Sequence, residues 1–261
     1  MSERPAKDAP LLSIKDLHKA YGFGETGVTS IDKIDFTVEK GEFLSIVGPS
    51  GCGKTTLLMC LAGLIQPTAG EILLCNKQVC SPPRDMVMVF QDYAASLFPW
   101  LTVLGNVLFA LEEKHIPKKE REMLAYDALD GVGLSGFAKH YPWELSGGMQ
   151  QRVAIARGLA YGSGIILMDE PFASVDAQTR IELEDLLLNI WEKHSKTIVF
   201  ITHDIDEAVY LSDRIVVLSR RPSEVLAMLS VNLPRPRKHL QARIEPEFAR
   251  LRAEIYSLLK I

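Results

Sequence analysis

The chain has 261 residues, 47% of them hydrophobic and 24% charged, with a formal net charge of −4. These are ordinary proportions for folded chains, and they exclude collagen-like, mucin-like and largely disordered proteins, because the apolar content is ample to offset the entropy of ordering. Mild acidity gives no electrostatic reason for non-specific nucleic-acid binding, so no nucleic-acid partner is expected.

The opening MSERPAKDAP lacks the apolar core of a secretory signal, so the chain is expected to stay where it is made. Ile34, Phe36 and Val38 alternate with Asp35, Thr37 and Glu39, which predicts a half-buried antiparallel strand. Four later runs are short and more uniformly apolar: Leu44 to Val47, Met86 to Phe90, Ile165 to Met168, and Thr197 to Thr202. They read as buried strands of a mainly parallel sheet. Helical spacing separates them, most clearly at Leu183, Leu186, Leu187, Ile190 and Trp191. Between Gln91 and Gly164 the pattern is mostly helical, with a charged helix from about Lys118 to Asp130. The expected fold class is α/β, a mainly parallel core with an antiparallel β subdomain and an inserted helical lobe over about 92–160.

The uncharged run from Ala94 to Leu111 reaches the minimum length of a membrane span. Pro99, Gly105 and Asn106 interrupt it, and a surface for a membrane-embedded partner is the better reading. Past Leu218 only a short tail is expected. From Asn232 it carries more Lys and Arg than Glu, which reads as a terminal helix with a solvated basic face, or as a contact for a partner or for anionic lipid. Cys52, Cys60, Cys75 and Cys80 form no C-x-x-C pair and have no histidine at zinc-finger spacing, so they are expected to be reduced thiols rather than metal ligands.

Gly48-Pro49-Ser50-Gly51-Cys52-Gly53-Lys54-Thr55 fits G-x-x-x-x-G-K-[ST], and it lies between the strand ending at Val47 and an apolar helix over Lys54 to Leu64. Glycines let backbone amides curl around phosphate oxygens, and the helix N-terminus adds a favourable dipole. Lys54 supplies a positive charge to the β and γ phosphates, and Thr55 a hydroxyl to magnesium. The same helix start is expected to acidify the Cys52 thiol, so that its alkylation would block the nucleotide. Ile165 to Glu170 supplies the complementary half, an apolar strand ending in two acids. Asp169 suits a magnesium shell, and Glu170 is placed to accept a proton from attacking water. In Leu145-Ser146-Gly147-Gly148-Met149-Gln150-Gln151-Arg152, Ser146 reads as a helix N-cap. Two glycines just inside a helix are costly, and a second anion site is one reason for them.

With these motifs the chain resembles the ATP-binding subunit of an ATP-binding-cassette (ABC) transporter over about residues 11–230, leaving 231–261 as a basic C-terminal extension. The resemblance implies a phosphate-loop NTPase core that hydrolyses ATP with Mg2+. It also implies a head-to-tail dimer of ATPase subunits, in which each ATP lies between one phosphate loop, Gly48 to Thr56, and the other subunit's signature, Ser146 to Gln150. On the family pattern Tyr21 stacks on adenine and Gln91 reaches magnesium and water, completing a metal set with Thr55 and Asp169. Glu170 and His203 are the catalytic pair, and Asp176 communicates across the dimer. Met149 stands where glutamine is commonest, and Ser174-Val175 where Ala-Leu is commoner.

Leu97-Phe98-Pro99-Trp100-Leu101-Thr102-Val103 and Leu233-Pro234-Arg235-Pro236-Arg237 are similar to importers of the nitrate, sulfonate and taurine group. The implied partners are two transmembrane permease subunits and a periplasmic substrate-binding protein, with the ATPase peripheral at the cytoplasmic face of the inner membrane. Two alternatives stay open: an exporter or lipid or lipoprotein extractor, and a soluble ABC-type ATPase acting on DNA or ribosomes.

Overall fold

A computed structural model describes residues 9–22 and 27–260. Most of the opening stretch read above therefore lies outside the described residues. The chain begins with β1 (Leu12–Tyr21) and β2 (Val28–Val38), which pair antiparallel with Tyr21 opposite Val28. β3 (Phe43–Val47) leads through the phosphate-loop sequence into α1 (Lys54–Leu61). β4 (Ala69–Leu74) and the short β5 (Lys77–Gln78) extend the antiparallel edge. After β6 (Met86–Val89) comes a run of helices: α2 (Tyr93–Ser96), α3 (Val103–Phe109), α4 (Lys118–Gly131) and α5 (Gly147–Tyr161). β7 (Ile165–Asp169), α6 (Ala177–His194), β8 (Thr197–Thr202), α7 (Ile205–Leu211) and β9 (Arg214–Leu218) complete the parallel core. β10 (Ser223–Ser230), α8 (His239–Ile244) and α9 (Pro246–Leu259) close the described chain.

All ten strands belong to one sheet, ordered β5-β4-β1-β2-β10-β9-β3-β8-β7-β6. β9, β3, β8, β7 and β6 run parallel, and β10 lies antiparallel to β9. β10 also pairs with β2 through Ser223 opposite Ile31 and Glu224 opposite Lys33, a short seam between the two halves. The uniformly apolar runs are strands because both of their faces are covered. Leu44, Ile46, Leu167 and Ile201 join the core beneath α1, while Phe43, Val47, Met168 and Phe200 join the core beneath the helical run and the C-terminal helices.

Two expectations need correction. The segment past Leu218 is not a bare tail, since β10 stitches the sheet halves together. Its side chains alternate between half-buried and exposed, with Leu226 and Met228 outward, so the period-2 pattern carries little hydrophobic contrast. The basic extension is not simply a solvated face either. Phe248, Leu251, Ile255 and Leu259 bury one side of α9, and Arg237 is buried with its guanidinium donating to the carbonyls of Tyr210 and Ser212 at 2.7 and 2.8 Å.

The uncharged run is broken into α2, a loop and α3. Among the described residues no helix is long and apolar enough to cross a membrane.

Candidate active site

The glycine-rich sequence folds as the turn between β3 and α1. Gly53 has φ of 111°, and a Cβ there would lie 2.9 Å from Ser30 Oγ, so glycine meets both demands. No side chain caps α1, which leaves the amides at its start available to an anion. Lys54 is buried. Its Nζ donates to the carbonyls of Gly48 at 3.0 Å and Pro49 at 3.2 Å, and it lies 3.5 Å from Glu170 Oε1.

Glu170 follows directly on β7 and has φ of 42°, a conformation strained for any residue with a side chain. Its amide donates to the Ile201 carbonyl at 2.9 Å, so the β8 backbone holds it in place. Its Oε2 accepts from His203 Nδ1 at 2.8 Å, an assignment of the imidazole proton that follows from the carboxylate being an acceptor. Asp169 is buried at the end of β7. Burial raises its carboxyl above the ordinary range, a hydrogen bond with Thr55 partly opposes this, and Oδ1 has no hydrogen-bond partner. A buried carboxylate with one orphaned oxygen beside a threonine hydroxyl fits a hard divalent cation, which takes oxygen ligands.

Tyr21, Ser30, Ser50, Gly51, Gly53, Lys54, Thr55, Thr56, Gln91, Glu170 and Arg221 line one cavity of about 480 Å³. The Tyr21 hydroxyl and Ser30 Oγ each lie 3.4 Å from Thr56 Oγ1. A larger groove of about 600 Å³ lies between α6 and residues 236–241 and contains none of the phosphate-loop residues, so chemistry rather than size selects the smaller cavity. Most of the residues singled out in sequence thus meet here, with His203 joined through Glu170 and Asp169 through Thr55. Ser30 and Arg221 were missed. Arg221 belongs to the turn before β10, and its Nε donates to the Thr29 carbonyl at 3.0 Å, 192 positions away in sequence.

Cys52 departs from expectation. Its side chain is buried in the core beneath α1, and burial pushes the thiol up rather than down, outweighing the charge of Lys54. It is an apolar packing group, and its thiol is not presented as an acidified nucleophile.

None of Ser146 to Gln150 lines this cavity. Ser146 caps α5, its Oγ accepting from the Met149 amide at 3.3 Å. Gly147 is exposed, whereas Gly148 is buried, and a Cβ on Gly148 would lie 2.3 Å from Thr179 Cγ2. One of the two glycines therefore has a packing reason. Met149 packs against the core, and Gln150 Nε2 donates to the carbonyls of Pro142 and Leu145 at 2.9 and 3.3 Å. Asp176 caps α6 by accepting from the amides of Gln178 and Thr179, and its Oδ2 accepts from Thr179 Oγ1 at 2.6 Å. The Thr179 hydroxyl, first among these donors, lowers the Asp176 carboxyl.

Comparison with known proteins agrees with this geometry. The family model described as ABC transporter matches residues 31–173. An uncharacterised ABC transporter ATP-binding protein of Methanocaldococcus jannaschii is 51% identical over 249 residues, covering 95% of this chain and 91% of that one. The aliphatic sulfonates import ATP-binding protein of Bacillus anthracis is 42% identical over 247 residues, 94% of each chain. A solved dimeric structure of the bacterial ABC transporter cassette MJ0796 is 36% identical with a TM-score of 0.75, covering 85% of this chain and 99% of that one. A phosphate loop under a mainly parallel sheet, two acids at the end of β7 and these likenesses along the chain lead to one conclusion: the protein belongs to the ABC transporter family as an ATP-binding subunit, an ATPase.

Proposed function

We propose that this ATPase powers an importer of small anions such as aliphatic sulfonates, nitrate, taurine or a similar anion. It works as a homodimer peripheral to the cytoplasmic face of the inner membrane, with two permease subunits and a periplasmic substrate-binding protein. The observation that carries the reading is the division of the motifs: Lys54 and Glu170 line one cavity, with His203 bonded to Glu170, while the signature at the start of α5 stays outside it. A signature excluded from its own nucleotide cavity is free to complete that of a second copy. The full-length likeness to a sulfonate-import subunit favours import and an anionic cargo.

ATP binds with its phosphates on the phosphate loop, Gly48 to Thr56, whose residues other than Pro49 carry backbone N–H donors, and with its adenine against Tyr21. Lys54 places its charge on the β and γ phosphates. Thr55, Gln91 and Asp169 would hold Mg2+, which when bound would neutralise charge on the phosphate oxygens. Glu170 accepts a proton from the attacking water, and His203 orients the Glu170 carboxylate through Nδ1 while facing the γ-phosphate. The signature of the second copy, Ser146, Gly147, Gly148, Met149 and Gln150, closes over the phosphates, and Asp176 links this closure to the first site through Thr179. ATP binding to the closed dimer and its loss on hydrolysis supply the differential affinity that drives the permease between states.

The region after Gln91 meets the permease. Phe98 lies 4.5 Å from Phe109 and 5.4 Å from Trp100, ring centre to ring centre, and Trp100 is 70% exposed, an aromatic surface rather than a core cluster.

Purification from native membranes in mild detergent, with mass spectrometry of the stoichiometric companions, tests this. A permease with several spanning helices is expected. Ribosomal proteins or nucleic acid alone would overturn the transport reading.

A further inference from the structure

We propose that Arg221 is a further nucleotide-binding residue, whose guanidinium holds the polyphosphate of ATP from the open side of the cavity, opposite Lys54. The proposal rests on the reading of this cavity as the ATP site. It falls outside residues 31–173 matched by the family model, and outside every motif the sequence presents.

Among the described residues, three formally charged side chains line the cavity: Lys54, Glu170 and Arg221. Lys54 lies 3.5 Å from Glu170, so within the lining these two offset one another, and the buried Asp169 behind Thr55 adds a further acid. Arg221 is then the second cation of the site, without which Lys54 alone would face two acids, and its charge attracts a nucleoside polyphosphate. Lys54 is buried at the floor and committed to two carbonyls, whereas Arg221 is exposed at the rim.

Position gives the second half of the argument. Arg221 Nε donates to the carbonyl of Thr29, and Thr29 pairs with Ala20, the residue before Tyr21. Next to it, Ser223 Oγ donates to the Ser30 carbonyl at 3.3 Å, and a Cβ on Gly53 would lie 3.5 Å from Ser223 Oγ. The turn before β10 is therefore fixed against both the β1–β2 hairpin and the phosphate loop. Anchoring through Nε leaves the planar fork of terminal nitrogens as the part of the group suited to phosphate oxygens. A group serving only to pin the turn to β2 would need one neutral donor and no charge.

The test is calorimetric binding of ATP, ADP and AMP to the full-length chain carrying Arg221→Ala, Arg221→Gln or Arg221→Lys. Arg220→Ala is the control: the same charge change on the neighbouring residue, which lines a different cavity with Pro49, Leu226 and Leu258, on the side of the phosphate loop away from Lys54 and Glu170. Arg221→Ala and Arg221→Gln are expected to weaken ATP and ADP by roughly 3- to 10-fold, an exposed charge-assisted contact, and AMP by less. Arg221→Lys should recover part of the loss, since it keeps the charge but neither the Nε anchor nor the planar fork, and Arg220→Ala should bind as the parent does. ATP affinity unchanged in Arg221→Ala, or an equal loss for ATP and AMP that lysine does not rescue, overturns the proposal.

Lys54→Ala separates the two levels. If it leaves ATP binding intact, the cavity is not the ATP site and the underlying reading fails. If it abolishes binding while Arg221→Ala changes nothing, only Arg221 is wrongly assigned.

Discussion

A methyl group added at Gly148 would meet Thr179 Cγ2 at 2.3 Å, and Thr179 cannot swing away cheaply because Asp176 accepts from both its amide and its hydroxyl. The clash costs about 1–3 kcal/mol as overpacking. Alanine for glycine inside a helix returns about 1 kcal/mol. Gly148→Ala should therefore lower the denaturation midpoint in the parent chain, yet raise it in a Thr179→Ser background, where the methyl is gone and the hydroxyl bond to Asp176 remains. Urea denaturation of the four proteins in the cycle measures this, and equal effects of Gly148→Ala in both backgrounds would remove Thr179 as the reason for glycine. The same contact joins Asp176 to the signature within one chain, so a shift at either position is felt at the other. Glu170 is strained for a different reason: φ of 42° places its carboxylate between Lys54 and His203.

Between α6, α7 and the C-terminal segment lies a buried polar seam that apolar periodicity does not register. Glu184 sits in the buried stripe of α6 and bonds His239 at 2.6 Å, while Glu207 of α7 accepts from Thr202 Oγ1 at 2.6 Å. Burial, then the charge of Glu207, pushes the Glu184 carboxyl up to about 8, and burial lowers His239, so the two share a neutral hydrogen bond at neutral pH. A carboxyl raised from 4.5 to about 8 on folding gives stability that is full below pH 4.5 and is lost as pH rises towards 8, because the unfolded chain releases the proton first. Glu184→Gln should remove this dependence. Thermal melts of the two proteins should diverge in favour of the variant between pH 5 and pH 8, and a difference independent of pH would contradict it.

What the sequence made legible follows from the same physics. β3, β7 and β8 were readable because both faces are covered and every residue but the terminal Asp169 is apolar or small, and the phosphate loop was readable because its constraints are local. β10 hides because Leu226 and Met228 face outward, Glu184 because it occupies an apolar slot, and Arg221 because its partner Thr29 is distant along the chain.

At the scale of the whole molecule, the proposed function makes one chain the bearer of two incomplete halves of a reaction site. Lys54, Asp169, Glu170 and His203 gather around the phosphate-loop cavity, and the signature lies on another surface of the same fold. Opposed copies related head to tail would complete two sites at once, and a symmetric pair is the simplest closed assembly that does so. Trp100 and Phe109 are exposed beside the half-buried Phe98, on the lobe proposed to receive the permease.

The most direct measurement is the sedimentation of the Glu170→Gln chain with and without ATP. This variant should hydrolyse ATP roughly 10²- to 10⁴-fold more slowly while still binding it, as loss of a general base does. The account predicts a monomer without nucleotide and a dimer of twice the mass at saturating ATP. A chain that binds ATP and stays monomeric at saturation would contradict the shared site on which the proposed mechanism depends.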